Sequence, residues 1–399
     1  MKTAFPIKQF EGLETPFYYY DLERLDQTLK LVASLAHKTG YQIHYALKAN
    51  ANDRILRLIS AMGYGADCVS GYEILKAVET GFAPSGIFFA GVGKADWEIN
   101  LGLDKQIGCF NCESVQELRL LNELAKLKNC KAPVALRINP NVDANTHRYI
   151  TTGIAENKFG INAWEWEVVT DVLSTSDNLD FKGLHFHIGS QITSHDTFAG
   201  LCTRINEISA WFANHHLFPG IIDAGGGLGV DYSHPDGPLP DFESYFNLFR
   251  KHLDLKPGQE LHFEPGRALV AQSGSLVSRV LFIKEGVTTR FAILDAGMTE
   301  LIRPALYQSY HPIENLTSEG PVRTYDVVGP ICESSDCFGK SVNLPETRRG
   351  DLIAIRMTGA YGETMSSSYN LRKKVNTWYS DEILNHDPQS YPSSGEQAG

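Results

Sequence analysis

The 399-residue sequence predicts an α/β protein in which a (β/α)8 barrel is followed by a mostly β domain. Two patterns indicate this fold class. From about residue 40 to residue 267, short apolar runs alternate with amphipathic helical stretches, as in a parallel sheet with crossover helices. Beyond residue 267 the runs are strand-like and separated by turn residues, with little helical pattern.

Eight of the apolar runs are predicted to be the barrel strands. They are QIHYALK (42–48), GADCVS (65–70), IFFAG (87–91), IGCFN (107–111), VALRINP (134–140), FKGLHFHIG (181–189), IIDAGGGLG (221–229) and LHFEPGR (261–267). Between them lie stretches such as VQELRLLNELAKLK (115–128), with apolar side chains at helical spacing. An open doubly wound sheet is the alternative, but eight strand–helix units in roughly 230 residues favour a closed barrel.

The last third of the chain predicts a separate β domain. Its strand-like runs are SLVSRVLFIKEG, RFAILDAG, VRTYDVVGP and DLIAIRMTGAYG. The N-terminal TPFYYYDLERL is also strand-like, and we expect this strand to join the β domain. We therefore expect the barrel over residues 30–267, the β domain over 1–29 and 268–385, and a flexible tail over 386–399, where Ser, Pro, Gln and Gly predominate.

Composition excludes several classes of protein. A formal net charge of -11 disfavours nucleic acid as a partner, because nucleic-acid-binding surfaces are basic. No apolar run approaches the ~20 residues that span a bilayer, and the N-terminus lacks an apolar leader, so we expect a cytoplasmic protein with no membrane partner. Seven cysteines do not form a disulfide framework. Cys109 and Cys112 lack the second pair of a structural zinc site and read as ordinary thiols.

Polar and glycine residues stand where the predicted barrel strands end, which is where barrels of this kind place catalytic groups. They are Lys48 after the first strand, Asp67 on the second, Arg137 on the fifth, His185, His187, Gly189 and Ser190 on the sixth, Gly225, Gly226 and Gly227 on the seventh, and Glu264, Gly266 and Arg267 on the eighth. Groups from six strands at one face of a barrel indicate an active site more strongly than any one of them does.

Each feature also has a purely structural interpretation. Lys48 could extend into solvent, or its amine could form a Schiff base with a carbonyl cofactor. The three glycines could form only a flexible turn, or they could bring backbone N–H groups to a phosphate. The glycine pattern lacks the lysine of a P-loop and the spacing of a dinucleotide fingerprint.

The two histidines and Glu264 also have two possible interpretations each. His185 and His187 could bind zinc from one face of a strand, but no third ligand is evident, so a flat imidazole against a planar ring is the better interpretation. Glu264 could form an ion pair with Arg267, or it could hold a pyridinium nitrogen protonated. Together these groups are what a pyridoxal phosphate site requires, and we expect no metal.

The ordered motifs resemble the alanine-racemase-fold group of pyridoxal-phosphate-dependent decarboxylases, and most closely its diaminopimelate decarboxylase branch. They are TPFYYYD (15–21), YALKAN (45–50), GADCVSGYE (65–73), FAGVGK (89–94), NPNVDANTH (139–147), KFGI (158–161), HIGSQI (187–192), GGGLG (225–229), EPGR (264–267), LDAGMTELIRPALY (294–307), CESSD (332–336) and GAYG (359–362). The resemblance implies a barrel plus a β domain, pyridoxal 5'-phosphate as cofactor, and a homodimer whose active sites are shared between subunits.

The resemblance also implies individual roles. For the cofactor it implies Lys48 as the Schiff-base lysine, Asp67 beside it, His187 stacked on the ring, Glu264 at the ring nitrogen, and Ser190, Gly226, Gly227, Gly266, Arg267 and Tyr361 at the phosphate. For the substrate it implies Arg267, Arg303, Tyr307 and Tyr361 as binding and orienting groups, Glu333 at the far amino end, and Cys332, from the partner subunit, as the proton donor to carbon. Cys337 reads as a spectator.

Relatives in this group decarboxylate ornithine, arginine, carboxynorspermidine or diaminopimelate. Diaminopimelate carries an amino acid at each end, so its pocket must bind a second carboxylate and a second ammonium. An arginine fork suits the carboxylate and Glu333 suits the ammonium, although Arg303 could be a structural ion pair and Glu333 a solvated loop charge. We expect decarboxylation of meso-2,6-diaminopimelate to L-lysine, the last step of lysine biosynthesis, with carboxynorspermidine as the alternative substrate.

Two other classes of function remain open. A racemase on the same fold would need two bases on opposite ring faces, including a tyrosine facing the lysine, and the CESSD segment argues against it. A non-catalytic relative would be suggested by loss of the lysine or the cysteine, and both Lys48 and Cys332 are present.

Overall fold

The computed structural model describes residues 5–142 and 158–383. The chain divides into two compact units, which we call the barrel unit (28–230 and 240–269) and the β unit (1–27, 231–239 and 270–399). The domain boundaries expected from the sequence remain predictions. The expected tail, 386–399, lies outside the described residues, as does most of the segment from 141 to 150.

The chain begins with helix α1 (Ile7–Glu11), strand β1 (Phe17–Tyr20) and helix α2 (Leu22–Thr39). Eight parallel strands then close the barrel in chain order: β2 (Gln42–Ala46), β3 (Gly65–Cys68), β4 (Ile87–Phe89), β5 (Cys109–Cys112), β6 (Ala132–Arg137), β7 (Leu179–His185), β8 (Ile221–Asp223) and β9 (Glu260–Phe263). The helices among and after them are α3 (Asp53–Ala61), α4 (Gly71–Glu79), α5 (Asp96–Lys105), α6 (Val115–Leu127), α7 (Trp166–Thr175), α8 (His195–Asn214), α9 (Phe242–His252) and α10 (Arg267–Val270). The predicted closed barrel is confirmed.

Helix α6 shows how the sequence specifies these elements. The side chain of Ser114 accepts a hydrogen bond from the backbone N–H of Glu117, which satisfies one of the donors that a helix start leaves open. Val115, Leu118 and Leu121 follow at helical spacing and are buried. Burying each such side chain contributes about 1.5–3 kcal/mol, so the buried face fixes this helix on the barrel.

The barrel strands end earlier than the sequence suggests. Strand β2 stops at Ala46, and Lys48 lies in a single 3-10 turn over Leu47–Ala49. Strand β7 stops at His185, so His187 lies beyond the sheet rather than on the same strand face. The apolar character that predicts a strand continues into the following turns because those turns are themselves buried.

The strands of the β unit are β10 (Gly274–Glu285), β11 (Arg290–Leu294), β12 (Ile313–Asn315), β13 (Val322–Val328), β14 (Cys337–Pro345), β15 (Leu352–Ile355) and β16 (Asn376–Tyr379), with short helices α11 (Arg303–Tyr307) and α12 (Ser380–Ile383). Six of them form the order β12-β15-β10-β11-β13-β14. Strand β1 pairs antiparallel with β10 and parallel with β16, which confirms that the N-terminal strand joins this sheet.

Strands β12, β14 and β16 were not predicted. Strand β14 stands at the end of the sheet order and carries lysine, serine and asparagine at exposed or half-buried positions. Edge strands are often polar in this way, because polar side chains discourage pairing with other chains. Because strand β14 lacks a long apolar run, the hydrophobic pattern of the sequence does not predict it.

Aromatic side chains of β1 and α1 form the core beside the N-terminal strand. Phe10, Phe17 and Tyr19 are buried with Val277 and Leu352. The rings of Phe10 and Phe17 meet edge to face at 5.2 Å, a geometry that aromatic quadrupoles favour. This cluster holds β1 in the β unit.

Within the described ranges, no helix combines the length and the apolar character that a bilayer crossing requires. The seven cysteines are free thiols in the structure, and Cys109 and Cys112 are buried in strand β5.

Candidate active site

Lys48 lies in the turn after β2, among residues whose side chains form hydrogen bonds with the backbone. The hydroxyl of Tyr45 donates to the carbonyl of Asn50 at 2.9 Å, and the Asn52 side chain caps helix α3 by accepting from Arg54 N–H. Ala49 is fully buried. The small and amide residues around Lys48 therefore shape a tight strand-to-helix turn that holds the ammonium in place.

Lys48 is paired with Asp67. Its Nζ donates to Oδ2 of Asp67 at 2.7 Å, and the Lys48 side chain is 37% exposed while that of Asp67 is fully buried. Ala46 and Asp67 are in register on adjacent strands, which places the lysine turn beside the aspartate. Burial and the charge of Glu264 raise the pKa of Asp67, and the ammonium of Lys48 opposes that rise.

Glu264 and His185 form a buried pair. Nε2 of His185 lies 3.0 Å from Oε2 of Glu264, and both side chains are at most 3% exposed. Burial acts to raise the pKa of Glu264, but the neighbouring histidines and Lys48 bring it below its usual value. Glu264 is therefore an anion with its acceptor atoms directed into the barrel.

His187, the second histidine of HFHIGS, has a different environment. It is half-buried, and the backbone N–H of Gly226 donates to its Nδ1 at 3.3 Å. Burial, together with the nearby cations Arg137 and Lys48, lowers the pKa of His187 well below its usual value. The ring is a neutral, flat imidazole, which suits packing against another planar ring.

Two neighbours of Glu264 were not predicted from the sequence. The amide of Asn111 donates to Oε1 of Glu264 at 3.4 Å. Asp223 is fully buried at the end of β8, and one ligand-type atom from each of His185, Asp223 and Glu264 lies within 4.8 Å of the others. Such a set is chemically able to chelate a cation, but His185 and Glu264 already pair with each other, and Oδ1 of Asp223 accepts from the backbone N–H of Gly225.

The glycine loop after β8 forms a close-packed cradle. A Cβ atom at Gly226 would lie 2.3 Å from the carbonyl oxygen of Glu264. Gly227 has φ +110, and a Cβ atom there would lie 2.8 Å from the carbonyl oxygen of Gly189. Only glycine fits at both positions, so no side chain covers the backbone of this loop.

Arg267 lies at the start of α10, directly after Gly266, and is 6% exposed. Its Nη2 donates to Oγ of Ser190 at 3.0 Å. A Cβ atom at Gly266 would be 3.0 Å from Cβ of Ala49, so this turn packs on the lysine turn. The structure thus brings together the predicted barrel residues Lys48, Asp67, His187, Ser190, Gly226, Gly227, Glu264, Gly266 and Arg267 on the ends of neighbouring strands.

The β unit holds a second polar cluster, around Arg303 at the start of α11. Nη1 of Arg303 donates to the Tyr232 hydroxyl at 2.8 Å and to Nε2 of His311 at 3.3 Å. Nδ1 of His311 donates to the carbonyl of Arg356 at 2.9 Å, which fixes Nε2 as the acceptor. Arg303 is 5% exposed, and its guanidinium is oriented by these contacts.

The CESSD loop, also in the β unit, is held by Asp336. This buried carboxylate accepts from the backbone N–H groups of Met298 and Ile331 at 2.6 and 2.7 Å. The loop leaves Cys332 and Glu333 exposed, and the Tyr369 hydroxyl donates to Oε1 of Glu333 at 2.9 Å. Asp336 therefore presents a thiol and a carboxylate side by side.

Two further predicted residues belong to the β unit. Tyr361, in the GAYG turn, is half-buried with φ 58. Tyr307 ends helix α11 and is half-buried.

Arg137 and Glu113 form a buried ion pair that the sequence indicated only in part. Nη1 of Arg137 lies 2.8 Å from Oε1 of Glu113. Glu113 also accepts from the backbone N–H groups of Gly91 and Gly160, at 2.9 and 3.1 Å. One carboxylate thereby ties together three loops at the ends of the barrel strands.

The barrel residues fit a pyridoxal phosphate group. The glycine cradle would be closed by any side chain, and buried Oδ1 of Asp67, beside Lys48, finds no hydrogen-bond partner among the described residues. A buried oxygen of this kind next to an amine leaves an acceptor for a bound group. An amine, a neutral imidazole, a carboxylate and an arginine beside a glycine loop are the donors and acceptors that this group requires.

The chain matches the family model described as "Pyridoxal-dependent decarboxylase, pyridoxal binding domain" over residues 23–271. It is 55% identical over 386 residues to a diaminopimelate decarboxylase of Bacteroides thetaiotaomicron, covering 96% of this chain and 100% of the relative. The crystal structure of diaminopimelate decarboxylase from Helicobacter pylori complexed with L-lysine is 38% identical, with a TM-score of 0.87 over 94% of this chain and 93% of that one.

The diaminopimelate decarboxylase of M. jannaschii in co-complex with L-lysine is also similar, at 33% identity and a TM-score of 0.83, over 94% of this chain and 89% of that one. The family match covers more than half of the chain, and the relatives align with nearly all of it. The fold, the barrel site and these similarities agree, and the chain belongs to the pyridoxal-dependent decarboxylase family, whose cofactor is pyridoxal 5'-phosphate.

Proposed function

We propose that this enzyme is a pyridoxal-phosphate-dependent carboxy-lyase that converts meso-2,6-diaminopimelate to L-lysine and carbon dioxide. The observation that carries the substrate assignment is the buried guanidinium of Arg303, oriented by Tyr232 and His311. An oriented arginine fork is suited to a carboxylate. A substrate with an amino acid at each end keeps a second carboxylate, which is not lost as carbon dioxide and can bind there. The names of the similar enzymes, and L-lysine in two of the similar structures, support the same substrate and product.

When bound, pyridoxal phosphate supplies an electron sink for the electron pair that departing carbon dioxide leaves behind. The barrel residues hold it in this proposal. Lys48 would provide the amine that condenses with its aldehyde, with release of water, and Asp67 positions that amine. His187 would pack on the ring as a neutral imidazole, and Glu264 would accept from the ring nitrogen.

The phosphate is assigned to the backbone N–H groups of Gly226, Gly227 and Gly266 and to the side chains of Ser190, Arg267 and Tyr361. Ser190 and Arg267 already share a hydrogen bond, so one anion can accept from both.

The substrate is assigned to the side chains of Arg267, Arg303, Tyr307, Glu333 and Tyr361. Arg303 and Tyr307 bind and orient a carboxylate, and Glu333 binds the far ammonium, with Tyr369 holding that carboxylate in place. Cys332 donates the proton that replaces carbon dioxide on carbon, as a general acid.

The exposure of Cys332 fits a role in a homodimer, in which we propose that it serves the partner subunit's site. Exposed apolar side chains support such an interface. Tyr72 is 73% exposed and Trp97 48% exposed, and their rings lie 5.2 Å apart. Aromatic pairs exposed in this way are typical of protein–protein contacts. A cytoplasmic location is also part of the proposal, since free thiols such as Cys332 persist in reducing compartments.

The test is carbon dioxide release from purified protein with pyridoxal phosphate, with the product identified by mass spectrometry. Diaminopimelate, ornithine, arginine and carboxynorspermidine are compared in parallel. We expect lysine from diaminopimelate alone. Turnover of carboxynorspermidine instead would contradict the assignment of Arg303 and Glu333, and turnover of none would favour a racemase or a non-catalytic relative.

A further inference from the structure

Two buried carboxyl groups, Asp223 and Glu264, lie together inside the barrel. Asp223 is the last residue of β8, and its neighbours in register are His185 on β7 and His262 on β9. Glu264 follows one residue after β9. Asp223, His185 and Glu264 are 0%, 1% and 4% exposed. One carboxyl oxygen of Asp223 lies within 4.8 Å of one of Glu264, and burial leaves no solvent to stabilise two negative charges so close together.

Glu264 receives donors that suit an anion. Nε2 of His185 lies 3.0 Å from Oε2, and the amide nitrogen of Asn111 lies 3.4 Å from Oε1. A histidine that donates through Nε2 carries its proton there, so the carboxylate receives an N–H at each oxygen. Of the two acids, Glu264 is the one whose surroundings stabilise the charged form.

Asp223 has the opposite environment. Its Oδ1 accepts from the backbone N–H of Gly225 at 2.8 Å, but its Oδ2 meets no donor within the described part of the chain. A buried carboxylate oxygen without a donor is costly, whereas the same oxygen carrying a proton can donate to a neighbouring anion. Burial and the charge of Glu264 raise the pKa of Asp223 well above its usual value, which agrees with a proton on Oδ2.

The other charged groups around the pair do not reverse this assignment. Lys48, in the turn after β2, is paired at 2.7 Å with Asp67 on β3. The charge of Asp67 acts to raise the pKa of Asp223 further. His44 and His262, on β2 and β9, have their pKa values lowered by burial to about 3 and about 4, so both are neutral near pH 7.

We propose that Asp223 and His185 are positioning residues for Glu264: Asp223 carries a proton that it donates to Glu264, while His185 donates from Nε2, so that Glu264 alone is the anion presented to the cofactor ring. This inference rests on the proposed function, because it takes Glu264 as the acceptor for the ring nitrogen. The two residues fix the charge and the direction of that acceptor without touching cofactor or substrate.

The proton on Asp223 can be observed directly by infrared spectroscopy. Protonated carboxyl groups absorb apart from carboxylates, and the difference between wild type and Asp223→Asn at pH 8 isolates one residue. We expect the variant to lose one protonated-carboxyl band. Exposed Asp231 is the matched control, and Asp231→Asn should remove none, because hydrogen bonds from His234 and from the Ser233 backbone lower the Asp231 pKa. An unchanged carboxyl region in Asp223→Asn overturns the proposal.

Cofactor affinity provides a second measurement. An asparagine amide can donate as a protonated acid does, so Asp223→Asn should bind pyridoxal phosphate within about threefold of wild type, whereas Asp223→Leu should bind it about tenfold to a hundredfold more weakly. Loss of affinity in Asp223→Asn, or its failure to fold, contradicts the proposal, since amide and acid are then not interchangeable. A stoichiometric metal ion bound by His185, Asp223 and Glu264 in the purified protein would also overturn it.

His185 is tested by rescue. His185→Gln can keep an N–H directed at Glu264 and should hold cofactor affinity within about threefold, while His185→Leu should lower it about tenfold or more. Equal losses in both variants would mean that His185 acts only through packing. These measurements need no turnover, so absence of diaminopimelate decarboxylation would overturn the proposed function and leave the proton assignment to be judged separately.

Discussion

The Nζ atom of Lys48 lies 2.7 Å from Oδ2 of Asp67, with the lysine side chain 37% exposed and the aspartate fully buried. The pair joins the turn after β2 to strand β3, where Ala46 and Asp67 are in register. A buried carboxyl group therefore fixes an accessible amine at the ends of the barrel strands. An amine held in this way is suited to bond with the aldehyde of a cofactor.

Replacement of Lys48 by alanine should abolish covalent attachment of pyridoxal phosphate, because no amine then faces Asp67. The measurement is borohydride reduction followed by mass spectrometry of the peptide that contains residue 48. Lys76→Ala is the control, since Lys76 is paired at the surface with Asp53 and Glu79. A reduced cofactor found on another lysine, with the wild-type spectrum retained, would remove Lys48 from this role.

Replacement of Cys332 by alanine should lower kcat about a hundredfold to ten-thousandfold, the range that general acid–base catalysis contributes. Cofactor affinity should not change, because Cys332 is assigned to the substrate carbon. Cys337→Ala is a matched control, five positions away and at the start of strand β14. Normal turnover in Cys332→Ala would show that the proton comes from another group.

Mixing the two inactive variants tests whether subunits share their sites. If Cys332 serves the partner's lysine, a mixed dimer of Lys48→Ala and Cys332→Ala protomers has one intact site of two. Random exchange should then restore about a quarter of wild-type activity, since half of the dimers are mixed. Confirmed exchange without any recovery would place both residues of a site within one chain.

Replacement of Arg303 by lysine should lower kcat/KM for diaminopimelate about tenfold to a hundredfold. A lysine keeps the charge but loses the planar fork that Tyr232 and His311 orient. Pyridoxal phosphate affinity should stay at the wild-type value. Arg290→Lys, at an arginine paired with Glu285 on the surface, is the control. A change below about twofold in Arg303→Lys would exclude a carboxylate contact at this residue.

The stacked histidines His44 and His262 should make the fold acid-sensitive. Nε2 of His44 lies 2.9 Å from Nδ1 of His262, and burial lowers their pKa values to about 3 and about 4. Below the unfolded pKa of about 6.5, the unfolded chain binds protons that the folded protein does not, so stability falls as pH drops from about 6.5 to about 4. Each residue contributes up to about 3 kcal/mol to this loss.

His262→Asn keeps a donor toward His44 but cannot titrate. The fall in Tm from pH 7.5 to pH 4.5 should therefore be smaller in this variant than in wild type. His234→Asn is the control, because His234 is exposed and paired with Asp231. The same pH slope in wild type and His262→Asn would show that this pair does not govern acid stability.

The order of elements could be predicted from the sequence because it depends on local patterns. Eight apolar runs separated by helices closed into a barrel, and the N-terminal strand joined the β sheet as expected. The residues at which the strands end could not be predicted as well. Lys48 and His187 lie in segments that continue the apolar runs of strands β2 and β7, so only the backbone hydrogen bonds show where each strand stops.

The candidate site likewise contains residues that could be named from the sequence and residues that could not. Residues within recognisable motifs, such as Lys48 and Glu264, could be named from the sequence, and their assigned roles stay predictions. Asp223 could not be named from the sequence. An aspartate before a glycine loop is usually a turn residue whose side chain accepts a hydrogen bond from a nearby backbone N–H. It does so with Gly225, and its proximity to Glu264, 41 positions later, arises only from closure of the barrel.

The placement of β1 has a consequence for synthesis on the ribosome. Strand β1 (Phe17–Tyr20) emerges first, yet β10 arrives roughly 250 residues later and β16 roughly 350 residues later. At about 5–20 residues per second, the nascent chain carries these aromatic residues without their sheet for tens of seconds. The barrel strands, contiguous from Gln42 to Phe263, can pair during that interval. During that interval the FYYY segment has no partner strand, and transiently exposed apolar surface of this kind favours aggregation.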